Sequence, residues 1–205
     1  ACAPFRRLHL CDRNLEHIDP EKITSTHNLL VDVLLGAQYE GQSITQDYPK
    51  YQATYGDSPS TMCTMLARSF ADIGDIIRGR DLYRRDNKKD KTDKLQEQLK
   101  KYFQKIYEGL TSTNGRNGEA AKKHYEDGAP DFLKLREDWW IANRETVWKA
   151  ITCNAGGYSY FRPTCGTGTW TNEKCRCTKS SDNVSIVPTY FDYVPQYLRW
   201  FEEWA

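Results

Sequence analysis

A tryptophan-rich segment between residues 130 and 153 constrains the fold of this chain more than any other feature. Trp139, Trp140 and Trp148 fall within ten residues, and together they form a large apolar surface. Apolar residues around them recur at spacings of three and four, which predicts a central core helix that begins near Pro130 and Asp131. The predicted buried stripe of this helix comprises Phe132, Leu135, Trp139, Ala142, Val147 (or Thr146), Ala150 and Cys153, with Trp140, Trp148 and Ile151 beside it.

The same spacing predicts further helices. One starts at Asp19 and Pro20 and continues, with a weakening pattern, to Tyr51. The next spans about 59–78, and others run from Thr92, through His124 and from Pro188 to the end of the chain. The last of these has an apolar side formed by Val194, Leu198, Phe201 and Trp204. No alternating strand pattern occurs, so we expect a mainly α protein with long loops.

Composition excludes several functional classes. With 29 basic and 28 acidic residues, the net charge of +1 argues against a globally basic nucleic-acid binder. No apolar run approaches the ~20 residues of a membrane helix. The 205 residues suffice for one domain with a buried core. Because the chain opens without Met and ends within a helical pattern, we interpret it as a piece of a longer protein.

Seven cysteines indicate an oxidising environment. They stand at positions 2, 11, 63, 153, 165, 175 and 177. The close pair Cys175 and Cys177 has only one residue between its members, and the four histidines show no ligand spacing, so a zinc site is disfavoured. Disulfides in an extracellular domain are the preferred interpretation, with free buried thiols as the alternative.

Motifs for catalysis are absent from the sequence. It contains no glycine-rich phosphate loop, no G-x-S-x-G elbow and no H-E-x-x-H metal motif. The adjacent carboxylates of Glu137 and Asp138 point about 100° apart on a helix, which is typical of solvated faces. We therefore expect no enzymatic activity, no cofactor and no metal.

The segment 78–105 is strongly basic. It contains eleven basic and five acidic residues, a net charge of +6 in a nearly neutral chain. Such a segment is either a solvated loop or a site for a polyanion such as a sulfated glycan. The candidate glycan ligands are Arg78, Arg80, Arg84, Arg85, Lys88, Lys89, Lys91, Lys100, Lys101 and Lys105.

Four segments carry a resemblance to a known family. They are Ala1–Cys11, Ala71–Tyr83, Leu135–Cys153 and Val187–Ala205. These long, collinear segments resemble the Duffy-binding-like domains of malaria-parasite surface adhesins. The similarity is greatest to the alpha class of the variant erythrocyte membrane protein 1.

The resemblance implies a disulfide-braced, mainly helical fold of three subdomains. Residues 1–55 would hold the end of the first subdomain and an entry helix. Residues 56–186 would form the second subdomain with a cysteine-rich loop, and residues 187–205 the truncated start of the third. The resemblance also implies a bridge between Cys63 and Cys153. Partners of Cys2 and Cys11 would lie upstream, and at least one of Cys165, Cys175 and Cys177 would pair beyond the chain.

The implied function is cell adhesion without catalysis. Members are displayed on the outer face of infected red cells as parts of membrane-anchored, antigenically variable proteins. They bind host red-cell or endothelial receptors, including blood-group sugars and heparan sulfate-like glycans, in rosetting and cytoadherence. Expected partners are a host receptor, antibodies and neighbouring domains of the same chain.

Two alternatives to the glycan site remain open. A protein receptor could be bound through aromatic residues of the glycine-rich loop, namely Tyr158, Tyr160, Phe161 and Trp170. These rings could instead pack over the loop's own disulfides. The chain could also be a structural spacer or immune decoy without a ligand of its own.

Overall fold

The regular elements are all helices in the part of the chain that the computed structural model describes, residues 2–19, 27–56, 62–83, 89–112, 116–125, 130–166, 168–178 and 185–205. The elements are α1 (Phe5–Leu8), α2 (Arg13–Glu16), α3 (His27–Tyr55), α4 (Met62–Arg78), α5 (Lys89–Thr111), α6 (Arg116–His124), α7 (Leu133–Ile151), a 3₁₀ helix (Phe191–Tyr193) and α8 (Gln196–Trp204). Within these ranges extended pairing is limited to two isolated bridges. The predicted mainly α class is confirmed.

Three helix starts differ from the predictions. α5 begins at Lys89, before the predicted Thr92. α7 begins at Leu133 because the preceding Phe132 has a left-handed backbone with φ 53°, and its buried ring contacts Tyr107 at 5.7 Å between centroids. α8 begins at Gln196, and Pro195 takes the N-cap position, where its missing backbone N–H leaves no helical hydrogen bond unmade. The predicted start of α3 at Asp19 and Pro20 cannot be compared, since residues 20–26 lie outside the described ranges.

The core is built around α7, as the tryptophan pattern predicts. Trp140 and Trp148 are fully buried, and Phe70 of α4 lies against both, with ring centroids 5.1 and 5.2 Å apart. Four members of the predicted stripe are buried beside these two tryptophans, namely Phe132, Leu135, Trp139 and Val147. Ala142 and Cys153 are exposed, which corrects their predicted burial.

Glycines allow the helices to approach α7 closely. A β-carbon on Gly41 of α3 would lie 1.9 Å from the backbone oxygen of Ile151. A β-carbon on Gly74 of α4 would lie 2.7 Å from the ring of Trp140. Contacts this short are possible only without a side chain, so these two residues set the distances of α3 and α4 from α7.

Helix α4 carries two buried carboxylates that bind arginines from both ends of the chain. Asp72 accepts hydrogen bonds from Arg6 and Arg199, each at 2.7 Å. Asp75 accepts from Arg199 at 2.5 Å and from Arg78 at 2.9 Å. Burial alone would raise the pKa of Asp72, but Arg6 and Arg199 hold it below its usual value. Burial prevails at Asp75, whose pKa is raised. We call these five residues the buried ion network.

Asp192, in the 3₁₀ helix, extends this polar packing to α7. Its carboxylate accepts two hydrogen bonds from Arg144 and one from the indole nitrogen of Trp140, all at 2.9 Å. Its backbone oxygen accepts a hydrogen bond from Arg78. The 3₁₀ helix is therefore fixed to α4 and α7 by charged groups.

The buried side of α8 combines two polar side chains with one tryptophan and differs from the predicted apolar stripe. Gln196, Arg199 and Trp200 are buried, because Arg199 and Gln196 bind the carboxylates of α4. All four residues that were expected to face inward are exposed, and Phe201 is 66% exposed. The four residues are Val194, Leu198, Phe201 and Trp204.

Two disulfides brace the loop that follows α7. Cys63 of α4 is bonded to Cys175, and Cys165 is bonded to Cys177. Cys63 is bridged as expected, but its implied partner Cys153 is an exposed free thiol beyond the end of α7. Cys175 reaches Cys63 because its backbone turns at φ 55° and its carbonyl accepts a hydrogen bond from Trp148 at 3.1 Å. The expectation that a loop cysteine pairs beyond the chain is also wrong, since all three loop cysteines are bonded within it.

We expect Asp72→Asn to lower the free energy of unfolding by about 1.5–3 kcal/mol, because Arg6 and Arg199 each lose a charge-assisted hydrogen bond and keep only their second carboxylates, Glu203 and Asp75. A carboxyl group with a lowered pKa contributes stability above its unfolded pKa. This contribution is lost as pH falls below about 4. Urea titrations at neutral and acidic pH measure both effects. Asp47→Asn, at an exposed pair with Lys50, is the control and should cost less than about 1 kcal/mol.

We expect Gly41→Ala to destabilise the chain by about 1–3 kcal/mol because the new methyl group meets backbone that cannot rotate away. Gly109→Ala on α5, where nothing lies within 4 Å, should instead stabilise by about 0.5–1 kcal/mol. Thermal unfolding of both variants tests the close approach. Equal effects at the two positions would contradict it.

Cysteine mapping tests the disulfide pairing. A non-reduced digest analysed by mass spectrometry should yield the 63–175 and 165–177 cross-links. Iodoacetamide at about pH 8 should label Cys153 much faster than Cys11. Burial and the nearby Glu40 raise the pKa of Cys11 to about 11, so little of this thiol is ionised. A 63–153 cross-link would show that the observed pairing is incorrect.

Candidate functional site

Arg78, at the start of the basic segment, is a core residue and not a glycan ligand. It is 1% exposed. Its guanidinium donates to Asp75 and to the backbone oxygen of Gly74 at 3.0 Å, besides its bond to Asp192. The prediction that Arg78 contacts a ligand is therefore wrong, because buried carboxylates on α4 and the 3₁₀ helix bind this cation.

Two further cations of the basic segment have carboxylate partners. Arg80 is exposed and pairs with Glu137 at 2.9 Å. Lys100 pairs with Asp131 at 2.5 Å. Their charge is largely balanced locally, which weakens the attraction of this region for a polyanion.

Lys94, Lys101 and Lys105 form an exposed lysine row on α5. Their spacing of seven and four residues places them on one face of the helix, and all three are exposed. Glu97 and Glu108 lie on the same side. Of the other predicted ligands, Arg84, Arg85 and Lys88 lie outside the described residues, as do the side chains of Lys89 and Lys91. The described cations are thus not concentrated at one point.

The loop between residues 155 and 178 presents two exposed aromatic side chains, and we call it the receptor loop. Trp170 is 61% exposed and Phe161 is 38% exposed. Arg162 lies over the ring of Phe161, with its guanidinium carbon 4.9 Å from the centroid. All three side chains are exposed, and Phe161 and Arg162 form a contact of mixed aromatic and cationic character.

The two other aromatic candidates support the base of the receptor loop. Tyr160 is buried, and burial raises the pKa of its phenol. Tyr158 packs edge-to-face on Tyr48 of α3, with ring centroids 5.2 Å apart. Tyr158 and Tyr160 therefore have a packing role, whereas Trp170 and Phe161 remain accessible.

Backbone hydrogen bonds hold Trp170 in place. Thr169 exchanges backbone hydrogen bonds with Cys165 at 3.0 and 2.9 Å, next to the 165–177 disulfide. The hydroxyl of Thr171 accepts a hydrogen bond from the backbone nitrogen of Tyr160 at 2.8 Å. An exposed tryptophan on a braced loop loses little conformational freedom when it binds a partner.

Sequence reasoning missed a cleft of about 570 Å³ between α3 and the residues of α1 and α8. Aromatic side chains line it on two sides, and we call it the aromatic cleft. The available signal was the spacing of Tyr48, Tyr51 and Tyr55, which places three tyrosines on one face of α3. Phe5 and Trp204 come from opposite ends of the chain, and no local pattern reveals that they meet.

Neither a candidate metal site nor a candidate membrane span occurs in the described ranges. No group of three or more histidine, cysteine or carboxylate side chains that could hold a metal ion occurs there. Among the described helices, none combines the length and apolar character that a bilayer crossing requires.

Comparison with solved structures relates the chain to adhesin domains of Plasmodium falciparum. The NTS-DBL1-alpha and CIDR-gamma double domain of the PfEMP1 protein from the varO strain is 45% identical, with a TM-score of 0.78. The NTS-DBL1(alpha-1) domain from the same strain is 44% identical, with a TM-score of 0.76. The PfEMP1 IT4var13 DBLbeta domain, solved bound to ICAM-1, is 34% identical, with a TM-score of 0.70.

These matches cover the whole of this chain but less than half of each solved chain. The covered shares of the solved chains are 27%, 43% and 44% in the same order. No curated protein sequence matches. The sequence model described as "Duffy binding domain" matches residues 1–199. The chain therefore belongs to the Duffy binding domain family, whose PfEMP1 members are adhesion modules and not enzymes.

Proposed function

We propose that this chain is the receptor-contacting part of an adhesion domain on the outer face of an infected red cell, and that it binds a host cell-surface protein through the receptor loop. The observation that carries this proposal is the exposure of Trp170 on a loop held by two disulfides. Tryptophan is enriched among the residues that dominate binding energy in protein interfaces. The binding of ICAM-1 by the similar DBLbeta domain supports a protein ligand.

The proposal includes the division of the chain that the resemblance implies. Residues 1–55 close the first subdomain, 56–186 form the second with the receptor loop, and 187–205 open the third. The receptor loop belongs to the second subdomain in this division. Its Cys63–Cys175 bond to α4 supports that assignment.

A sulfated glycan is the second candidate ligand, and the lysine row carries it. Lys94, Lys101 and Lys105 line one exposed face of α5, next to a segment whose sequence is strongly basic. Ionic binding of this kind weakens as salt screens the charges. Binding through Trp170 depends mainly on buried apolar area and is less sensitive to salt.

The test measures binding of the labelled chain to intact human red cells and endothelial cells, and its retention on heparin, over a range of salt concentrations. We expect Trp170→Ala to weaken cell binding by about 30-fold or more, as for a residue at the centre of an interface. Tyr39→Ala is the matched control, since this exposed aromatic residue lies on α3 outside the receptor loop.

A triple variant of the lysine row, with Lys94, Lys101 and Lys105 changed to Glu, separates the two candidates. Loss of salt-sensitive heparin retention in this variant, with Trp170→Ala unaffected, would assign the function to the glycan. Absence of binding to either cell type and to heparin would favour the spacer or immune decoy and reject both contact surfaces.

A further inference from the structure

The aromatic cleft has two facing aromatic walls. On α3, Tyr51 stacks on Tyr48 with ring centroids 6.1 Å apart and contacts Tyr55 at 4.9 Å. On the opposite side, Phe5 and Trp204 are in contact at 5.7 Å. Phe5, Tyr55 and Trp204 are each more than half exposed, so the rings at the mouth of the cleft are open to a ligand.

A buried carboxylate lines this cleft. Glu40 is 3% exposed and accepts hydrogen bonds from the backbone nitrogen of Cys11 at 2.9 Å and from the hydroxyl of Ser69 at 2.6 Å. Both donors are neutral groups, and no ion pair to Glu40 occurs within the described residues. Its negative field contributes to the raised pKa of Cys11. Buried charges are normally paired, so this carboxylate favours the approach of a cation.

The other charged groups that line the cleft balance one another, so its net negative charge comes from Glu40. Asp47 and Glu203 add two carboxylates, while Arg6 and Arg68 add two guanidinium groups. Asp47 also pairs with Lys50 at 3.0 Å. Arg6 is already engaged, since it binds both oxygens of Glu203 at 3.0 and 2.9 Å and also Asp72. Burial alone would lower the pKa of Arg6, but the carboxylates of Asp72 and Glu203 raise it. This cation therefore remains charged and bound to them.

Aromatic faces and carboxylates attract the same kind of group. The negative face of a tyrosine or tryptophan ring binds ammonium and guanidinium ions, and the attraction increases where water is excluded. A cleft of about 570 Å³ is within the usual size of a ligand site and is larger than one side chain requires. The ligand can therefore include the backbone on either side of the cation.

We propose that the aromatic cleft binds an arginine or lysine side chain presented by a protein partner. The aliphatic stem of that side chain lies between Tyr51 and Tyr55 on one wall and Phe5 and Trp204 on the other. Its cationic head is directed to Glu40 and Asp47. This site shares no residue with the receptor loop, so the proposal stands or fails independently of the proposed function.

The test is a titration of the whole chain with blocked tripeptides of the form acetyl-Gly-X-Gly-amide. The residue X is arginine, lysine, citrulline or norleucine, because citrulline keeps the shape of arginine and loses its charge. The indole signal of Trp204 in a nitrogen-15 spectrum reports binding, since this N–H lies at the cleft and donates to the carbonyl of Cys2 at 2.9 Å. We expect binding of the arginine peptide to be at least about tenfold tighter than that of the citrulline peptide.

Variants locate the site. Tyr55→Ala removes one exposed ring of the cleft and Asp47→Asn removes one exposed carboxylate, so neither disturbs the core. Each should weaken arginine-peptide binding by about three- to tenfold. Tyr39→Ala, on the same helix but turned about 120° from Tyr51, should leave it unchanged.

Four outcomes would overturn the proposal. They are equal binding of the arginine and citrulline peptides, absence of binding by every peptide, unchanged binding by both cleft variants, and tighter binding of a neutral methyl glucoside than of the arginine peptide. The last outcome would identify the cleft as a sugar site.

Discussion

The packing of this domain depends on two carboxylates buried within one turn of each other on α4. A buried Asp72 or Asp75 is costly unless a cation reaches it, and the sequence supplies arginines from α1, α4 and α8. The two ends of the chain are thereby held to the same central helix. Opposite ends also meet where Arg6 binds Glu203 and Phe5 contacts Trp204. The aromatic cleft exists because of this closure.

The two sides of α4 pack differently, one through apolar contacts and the other through charged groups. Toward α7, α4 contributes Phe70 and Gly74, which fit against the tryptophan rings. Toward α8 and the 3₁₀ helix it contributes charges, so directional bonds position these short elements, together with the buried ring of Trp200. Ion pairs of this kind specify one arrangement, because any shift leaves a charge without its partner. The apolar side of α8 consequently faces outward.

The sequence was informative where structure depends on local spacing. Periodicity located the helices and the tryptophan core, and the resemblance identified the family. Prediction from the sequence failed where contacts between distant residues determine the structure. The sequence pattern predicts that Arg78 is one of many surface cations. In the structure it is buried, because Asp75 and the backbone of Asp192 bind it. The partner of Cys63 is set by the path of the loop over Trp148, which spacing does not encode. The same limit applies to the candidate site, where accessibility separates Trp170 from Tyr160 although both are loop aromatics.

The bond between Cys63 and Cys175 has a mechanical consequence. In the proposed function, blood flow pulls on the domain while a host receptor holds the receptor loop in place. A load applied at Trp170 passes through a few residues to Cys175 and then, through a covalent link, directly into α4. The loop cannot be peeled from the domain one hydrogen bond at a time, because the link joins residues 112 positions apart in the chain. Tension is instead shared by the whole helical core, so the contact surface keeps its shape under shear.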